Sequence, residues 1–273
     1  MKIKSLSLVL PVLVGVVILG LGAGAAPVGG NKVVDPRLVG MNNAQLVKQL
    51  RTTSPSTAQF AILFARAQNN QLMTSMYTYL NQEALHNPGD VYARIWLANA
   101  AAVLANQGLQ NTTMAPGAIP TLDQQHQAIG ANEQASTQLQ QAKQILQAVA
   151  SLQPGNALAQ SSLGWFLVQQ YNAIPGLQTE GYLRLNRAVT LAPGDALLWY
   201  NLGSAYLLPD PHGALPGRFH LAEVALKQAA KLDKTFAAPH LLLRIIYTRM
   251  NEPKLAAEEA KAAAELLPVP AGE

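Results

Sequence analysis

Four short phrases constrain the architecture of this chain more than anything else in it. ASLQPGNA, TLAPGDA, KLDKTFA and ELLPVPA each close an apolar segment of helical period, and they align with Pro154, Pro193, Lys234 and Pro268 in one register. Upstream, LHNPGDV adds Pro88. A proline just past a helical segment ends it, because it cannot continue the hydrogen-bond ladder. The intervals are 34 residues from Lys234 to Pro268, 41 from Pro193 to Lys234, 39 from Pro154 to Pro193 and 66 from Pro88 to Pro154. Recurrence on this scale points to repeated helical units stacked side by side, each burying its apolar face against its neighbours.

The residues inside each unit follow one pattern. One unit places Trp199, Leu202, Gly203 and Tyr206 in its first helix and Ala222, Leu226 and Ala229 in its second. The next has Leu243 and Tyr247, then Ala256, Ala260, Ala263 and Pro268, with Arg244 at the small-residue place. The preceding ones have Leu163, Gly164, Leu167, Gly181, Leu185, Ala188 and Pro193, and Leu97, Ala98, Ala101, Ala142, Leu146, Val149 and Pro154. Small residues let two helices approach, and the large apolar ones fill the space between them. Over roughly residues 91–268 the set resembles the tetratricopeptide repeat, a 34-residue helix-turn-helix unit. The resemblance implies an all-α, right-handed solenoid of four to five helical pairs.

The departures from 34 residues have a common place. From Tyr247 to Ala256 the turn region spans 9 residues; the matching spans are 14 from Leu167 to Gly181, 16 from Tyr206 to Ala222 and 41 from Ala101 to Ala142. The surpluses of 5, 7 and 32 equal the surpluses in the period, so the extra residues fall in the turn inside each unit. The largest is an insertion at 108–135, expected as loop to Pro120 and as helix from Thr121, either continuous into the next helix or broken at Gly130. The inserts share Ile119-Pro120, Ile174-Pro175 and Leu215-Pro216. These six residues are either turn chemistry, with proline and glycine breaking one helix and launching the next, or a ligand-contacting ridge along one edge.

Upstream, Asn43–Arg51 reads as a short helix, a second starts at Ser54-Pro55 and runs to Ala67, and a third covers about Gln71–His86. The segment 42–90 is therefore expected as N-terminal helices containing a degenerate repeat, and 269–273 as a tail. The first thirty residues carry Lys2 and Lys4 and then no charge from Ser5 to Gly30, with an apolar run from Leu6 to Leu21. Residues 1–26 read as a signal peptide or a membrane anchor, and 27–41 as a linker. The expected location is outside the cytoplasmic membrane, secreted or anchored by this segment, which is the only expected membrane contact. The leader resembles a bacterial one.

Composition narrows the function. Charged residues make up 12% of the chain, about half the usual share. Two of the 19 basic residues lie in the leader, leaving 17 against 15 acidic ones, scattered singly. A phosphate-tracking surface needs clustered lysine and arginine, so no nucleic-acid partner is expected. The chain has no cysteine, which removes disulfides and thiol chemistry. No phosphate loop, zinc-binding HExxH or nucleophile elbow is present, and Asp210, His212 and His220 lack the spacing that pre-arranges metal ligands. No catalytic residue, metal or cofactor is expected, and His240 is expected to pack between helices.

In the family it resembles, first helices line a concave groove where peptides lie. Carried over, that groove comprises Tyr92, Ile95, Asn99, Ser161, Trp165, Tyr200, Ser204, Leu241 and Ile245. The set is apolar and aromatic, which implies a protein or peptide partner with apolar anchors. The same side chains could instead pack on an inserted loop or on the chain's own N-terminal helices. Two further readings stay open: a self-assembling structural or envelope-assembly component, including a homo-oligomer, and an enzyme with its site in the inserted loops.

Overall fold

One four-residue turn recurs between successive helical pairs. The Asp90 amide donates to the Asn87 carbonyl (2.9 Å), Asn156 to Gln153 (3.0 Å), Asp195 to Ala192 (3.1 Å) and Phe236 to Asp233 (3.1 Å). Pro88, Pro154 and Pro193 occupy the second position, where their fixed φ suits the turn. Lys234 replaces proline in the fourth turn, and there Asp233 Oδ1 accepts from the Thr235 amide (2.8 Å) and hydroxyl (2.7 Å). The turn's last residue also starts the next helix. Asp90 Oδ1 accepts from the Ala93 amide (3.0 Å), Asn156 Oδ1 from Ala159 (3.0 Å) and Asp195 Oδ1 from Leu197 (2.9 Å). Each satisfies an otherwise orphaned helix amide.

The computed structural model describes residues 42–55, 60, 63–64, 67, 72–111, 122–170, 175–208 and 217–266. Its helices are α1 (Asn43–Thr52), α2 (Met73–His86), α3 (Val91–Asn111), α4 (Leu122–Leu152), α5 (Ala157–Gln170), α6 (Pro175–Leu191), α7 (Ala196–Leu207), α8 (Arg218–Leu232), α9 (Ala237–Arg249) and α10 (Pro253–Leu266). Among the described residues there is no strand. Helices α3–α4, α5–α6, α7–α8 and α9–α10 pair as hairpins. Neighbouring hairpins stack through α4–α5, α6–α7 and α8–α9, and the first helices α3, α5 and α7 also pack on one another in series. This is an all-α solenoid of the tetratricopeptide type, with α1 against α2 and α2 against α3 at its N-terminal end.

The repeat pattern works as packing. Leu163, Leu167, Leu185, Ala188, Leu226 and Ala229 are fully buried, and Leu243 and Tyr247 nearly so. At the α5–α6 crossing a Cβ on Gly164 would lie 2.7 Å from the Gly181 carbonyl oxygen, and one on Gly181 would lie 2.8 Å from the Gly164 oxygen. The two backbones touch, and only glycine on both sides permits it. In the last hairpin the matching place holds Arg244, which is exposed.

One sequence expectation changes, and one pair of alternatives is decided. Residues 108–111 are the last turn of α3, not loop, and α4 runs unbroken through Gly130. Much of the 32-residue surplus is thus absorbed by lengthening both helices of that hairpin. Pro175 is the first residue of α6, a position that suits proline because its missing N–H has no partner to lose there. The other five residues of the expected ridge, Ile119, Pro120, Ile174, Leu215 and Pro216, lie outside the described residues, as do the leader, the linker and the tail. Phe60, Leu63, Phe64 and Ala67 are helical and fully buried, in keeping with the helix expected there.

Asp195 carries a pH dependence. Burial pushes its carboxyl up from 3.8 to about 7, against the lowering effect of the Leu197 and Leu198 amides. A carboxyl raised on folding contributes stability that is full below its unfolded pKa and is lost as pH rises through its folded one. Asp195→Asn keeps the acceptor and removes the charge. The urea midpoint of the unaltered protein should fall between about pH 4 and about pH 7 relative to that of the variant, and the variant should be at least as stable at pH 8.

Candidate functional site

In the row formed by the first helices, three of the four are nearly free of charge, and the fourth, α9, carries Arg244 and Arg249. Across α3, α5 and α7 the only charged residue is Arg94. The second helices carry the charges instead, with Glu180, Arg184 and Arg187 on α6 and Arg218, Glu223, Lys227 and Lys231 on α8. Helices enclosed by their neighbours carry few ions, and the solvated flank carries them.

The nine groove residues carried over from the repeat family divide by burial. Tyr92, Ser204, Leu241 and Ile245 are half-buried. Ile95, Asn99 and Ser161 are buried, with Trp165 9% and Tyr200 6% exposed. Helix α5 explains why: Ala157 to Val168 are all buried, because α5 packs against α6 and also touches α3, α4 and α7. Such a helix shows no amphipathic stripe, so its burial could not be read from its periodicity.

Polar side chains on α5 stitch the row together. Asn99 Nδ2 donates to Ser162 Oγ (3.3 Å), Asn201 Nδ2 to Ser161 Oγ (3.2 Å) and Gln170 Nε2 to Asn106 Oδ1 (3.3 Å). Gln160 donates to the Ala150 and Pro154 carbonyls (3.3 Å each) and accepts from Arg184 (3.0 Å), tying α4, the turn and α6 together. Asn99 and Asn201 are therefore engaged within the solenoid. The Tyr200 ring meets Phe236 at 5.0 Å, and burial raises its phenol, partly offset by the Ser204 hydroxyl.

Other polar clusters hold hairpins together. His240 Nδ1 pairs with Glu259 Oε2 at 2.6 Å across α9 and α10, the packed position expected for it. Glu223 accepts from Lys227 (2.7 Å) and from the Tyr247 hydroxyl (2.8 Å), joining α8 to α9. Burial alone would raise the Glu223 carboxyl, but these donors bring it below the usual range.

Among the described residues no group of three histidine, cysteine, aspartate or glutamate side chains could hold a metal; Asp210 and His212 lie outside them. A shallow cleft of about 220 Å³ between α2, α3 and α4 is lined by Tyr77 and the amides of Asn81, Gln141 and Gln144 over apolar residues. It contains no acid, base or nucleophile pair. No helix among the described residues is long and apolar enough to cross a membrane.

No family model matches the chain, and no curated protein matches it. Among solved structures it is similar to MamA 41-end from Desulfovibrio magneticus RS-1, with a TM-score of 0.45 and 19% identity over 81% of this chain and 94% of that one. It is also similar to a human IFIT1 dimer with PPP-AAAA, with a TM-score of 0.44 and 16% identity over 78% of this chain and 49% of that one. Likeness at this level carries no functional argument, and the solenoid stands on the hairpin packing described above.

Proposed function

We propose that this protein is a non-catalytic scaffold, working outside the cytoplasmic membrane, that holds an apolar, uncharged segment of a protein partner against the row of first helices. The observation that carries this reading is the segregation of charge: one charged residue on α3, α5 and α7 together, against three on α6 and four on α8. Half-buried Tyr92 supplies apolar contact on α3, and half-buried Leu241 and Ile245 supply it on α9, the first helix of the last hairpin, on either side of Arg244. The extracytoplasmic location is supported by the leader, two lysines followed by a charge-free apolar run.

The test places charge on the row without excavating the core. Capture from an envelope extract, with the full chain as bait, should lose its partner when Leu241→Glu and Ile245→Glu are combined. Leu183→Glu on α6, where the leucine is 66% exposed, should leave capture unchanged. Equal capture by all three proteins sinks the reading. Trp165→Ala and Tyr200→Ala are poorer probes, because truncating a buried aromatic costs about 3–5 kcal/mol in cavity formation alone.

A further inference from the structure

The chain has three tryptophans, and their indole N–H groups meet different fates. Trp96 donates to the Pro55 carbonyl at 2.9 Å and Trp199 to the Pro193 carbonyl at 2.9 Å. Trp165 Nε1 is sealed from solvent and has no hydrogen-bond partner. Exposure is not the reason for pairing, since Trp199 is the most accessible of the three and still paired. A buried donor left without an acceptor loses its hydration and gains nothing in exchange, so a native protein keeps few of them.

The position of this donor matters. In repeat register Trp165 on α5 stands between Asn99 on α3 and Ser204 on α7, and α3, α5 and α7 pack side by side. Asn99 meets Ser162 through its Nδ2 donor, and neither its Oδ1 nor the Ser204 Oγ, itself buried without a partner, accepts from the indole. With Arg94 the only charge on these helices, a carboxylate or phosphate would be buried there without a counterion, at a far higher cost than a neutral carbonyl.

We infer that the Trp165 indole N–H is a recognition donor of the row and takes a backbone carbonyl of an uncharged, apolar peptide segment of the partner. This rests on the scaffold reading and names its ligand chemistry. Binding requires rotamer changes at the row to admit the carbonyl, a scale of rearrangement common at interfaces. The occupant lies extended, because a helical segment would already have used its own carbonyls.

The probe is an eight-residue peptide of alternating leucine and glycine, blocked at both ends, added to the full chain. The ¹⁵N–¹H spectrum of the indoles has three resonances, one per tryptophan, and the inference expects only that of Trp165 to move downfield. Replacing Trp165 with 3-benzothienylalanine keeps the ring's shape and deletes the N–H. Probe affinity should drop about tenfold with no fall in the urea midpoint. The same replacement at Trp199 should lower the midpoint and leave affinity unchanged. Binding with the Trp165 resonance unmoved, or undiminished affinity after its replacement, overturns the inference. So does failure of the probe to bind at all. In each of these cases the Leu241→Glu/Ile245→Glu capture still decides the scaffold reading separately.

Discussion

Gly164→Val should cost at least about 3 kcal/mol, the top of the range for inserting bulk into a packed core. The reason lies in what a side chain there would strike. Its Cβ would come within 2.7 Å of the Gly181 carbonyl oxygen and 2.9 Å of the Leu185 amide nitrogen. Both are backbone atoms, so no neighbouring rotamer can relieve the contact and α5 must separate from α6. A solenoid's stability is a sum over units and their interfaces, so this break should also uncouple the hairpins on either side. Urea unfolding followed by circular dichroism should shift to a lower midpoint and broaden or split into two transitions. Gly155→Ala is the control: a Cβ there meets nothing within 4 Å, and the expected change is under about 0.5 kcal/mol.

Trp96→Ala should cost about 3–5 kcal/mol. The indole is fully buried on α3, 4.9 Å from the Phe64 ring and 5.7 Å from Phe60. It also donates to the Pro55 carbonyl, across 41 residues of chain. Truncation removes the largest side chain of the N-terminal core and leaves that carbonyl without its donor. Because Trp96 bridges α3 to the segment around Phe60 and Phe64, the loss should fall first on the N-terminal end. Hydrogen exchange should show protection lost near Phe64 before it is lost in α7–α8. Trp96→Phe, which retains a ring but not the hydrogen bond, should fall between the two.

The solenoid was legible because its physics repeats. Gly164, Gly181 and Gly203 mark close crossings, Leu185 and Leu226 fill them, and Pro88, Pro154 and Pro193 mark the handover between hairpins. The capping role of Asp90, Asn156 and Asp195 was visible in the same phrases, two residues past each proline, but the proline drew attention to termination alone. The insertion at 108–135 was harder. Proline and glycine near its centre suggested loop, whereas Leu109–Asn111 and the amide-rich stretch from Leu122 continue the flanking helices, since nothing in them opposes a helix.

The row of first helices was legible in position and not in state. Repeat register locates Ile95, Asn99, Ser161, Trp165 and Tyr200 on one side of their helices. It does not reveal that Asn99 bonds Ser162, that Asn201 bonds Ser161, or that α5 is enclosed along twelve residues. Those facts depend on how three helices pack against one another, and ALAQSSLGWFLVQQ reads alike whether α5 is enclosed or open on one side. The unpaired Trp165 indole belongs to the same class, since a donor's partner is a tertiary fact.

The most direct measurement of the central claim is site-specific photo-crosslinking in living cells. A benzophenone side chain is placed at Ile245 on the row in one protein and at Leu183 on the charged flank in another. The scaffold account predicts a protein adduct from Ile245 and none from Leu183. Adducts from Leu183 alone, or from neither position, would contradict it.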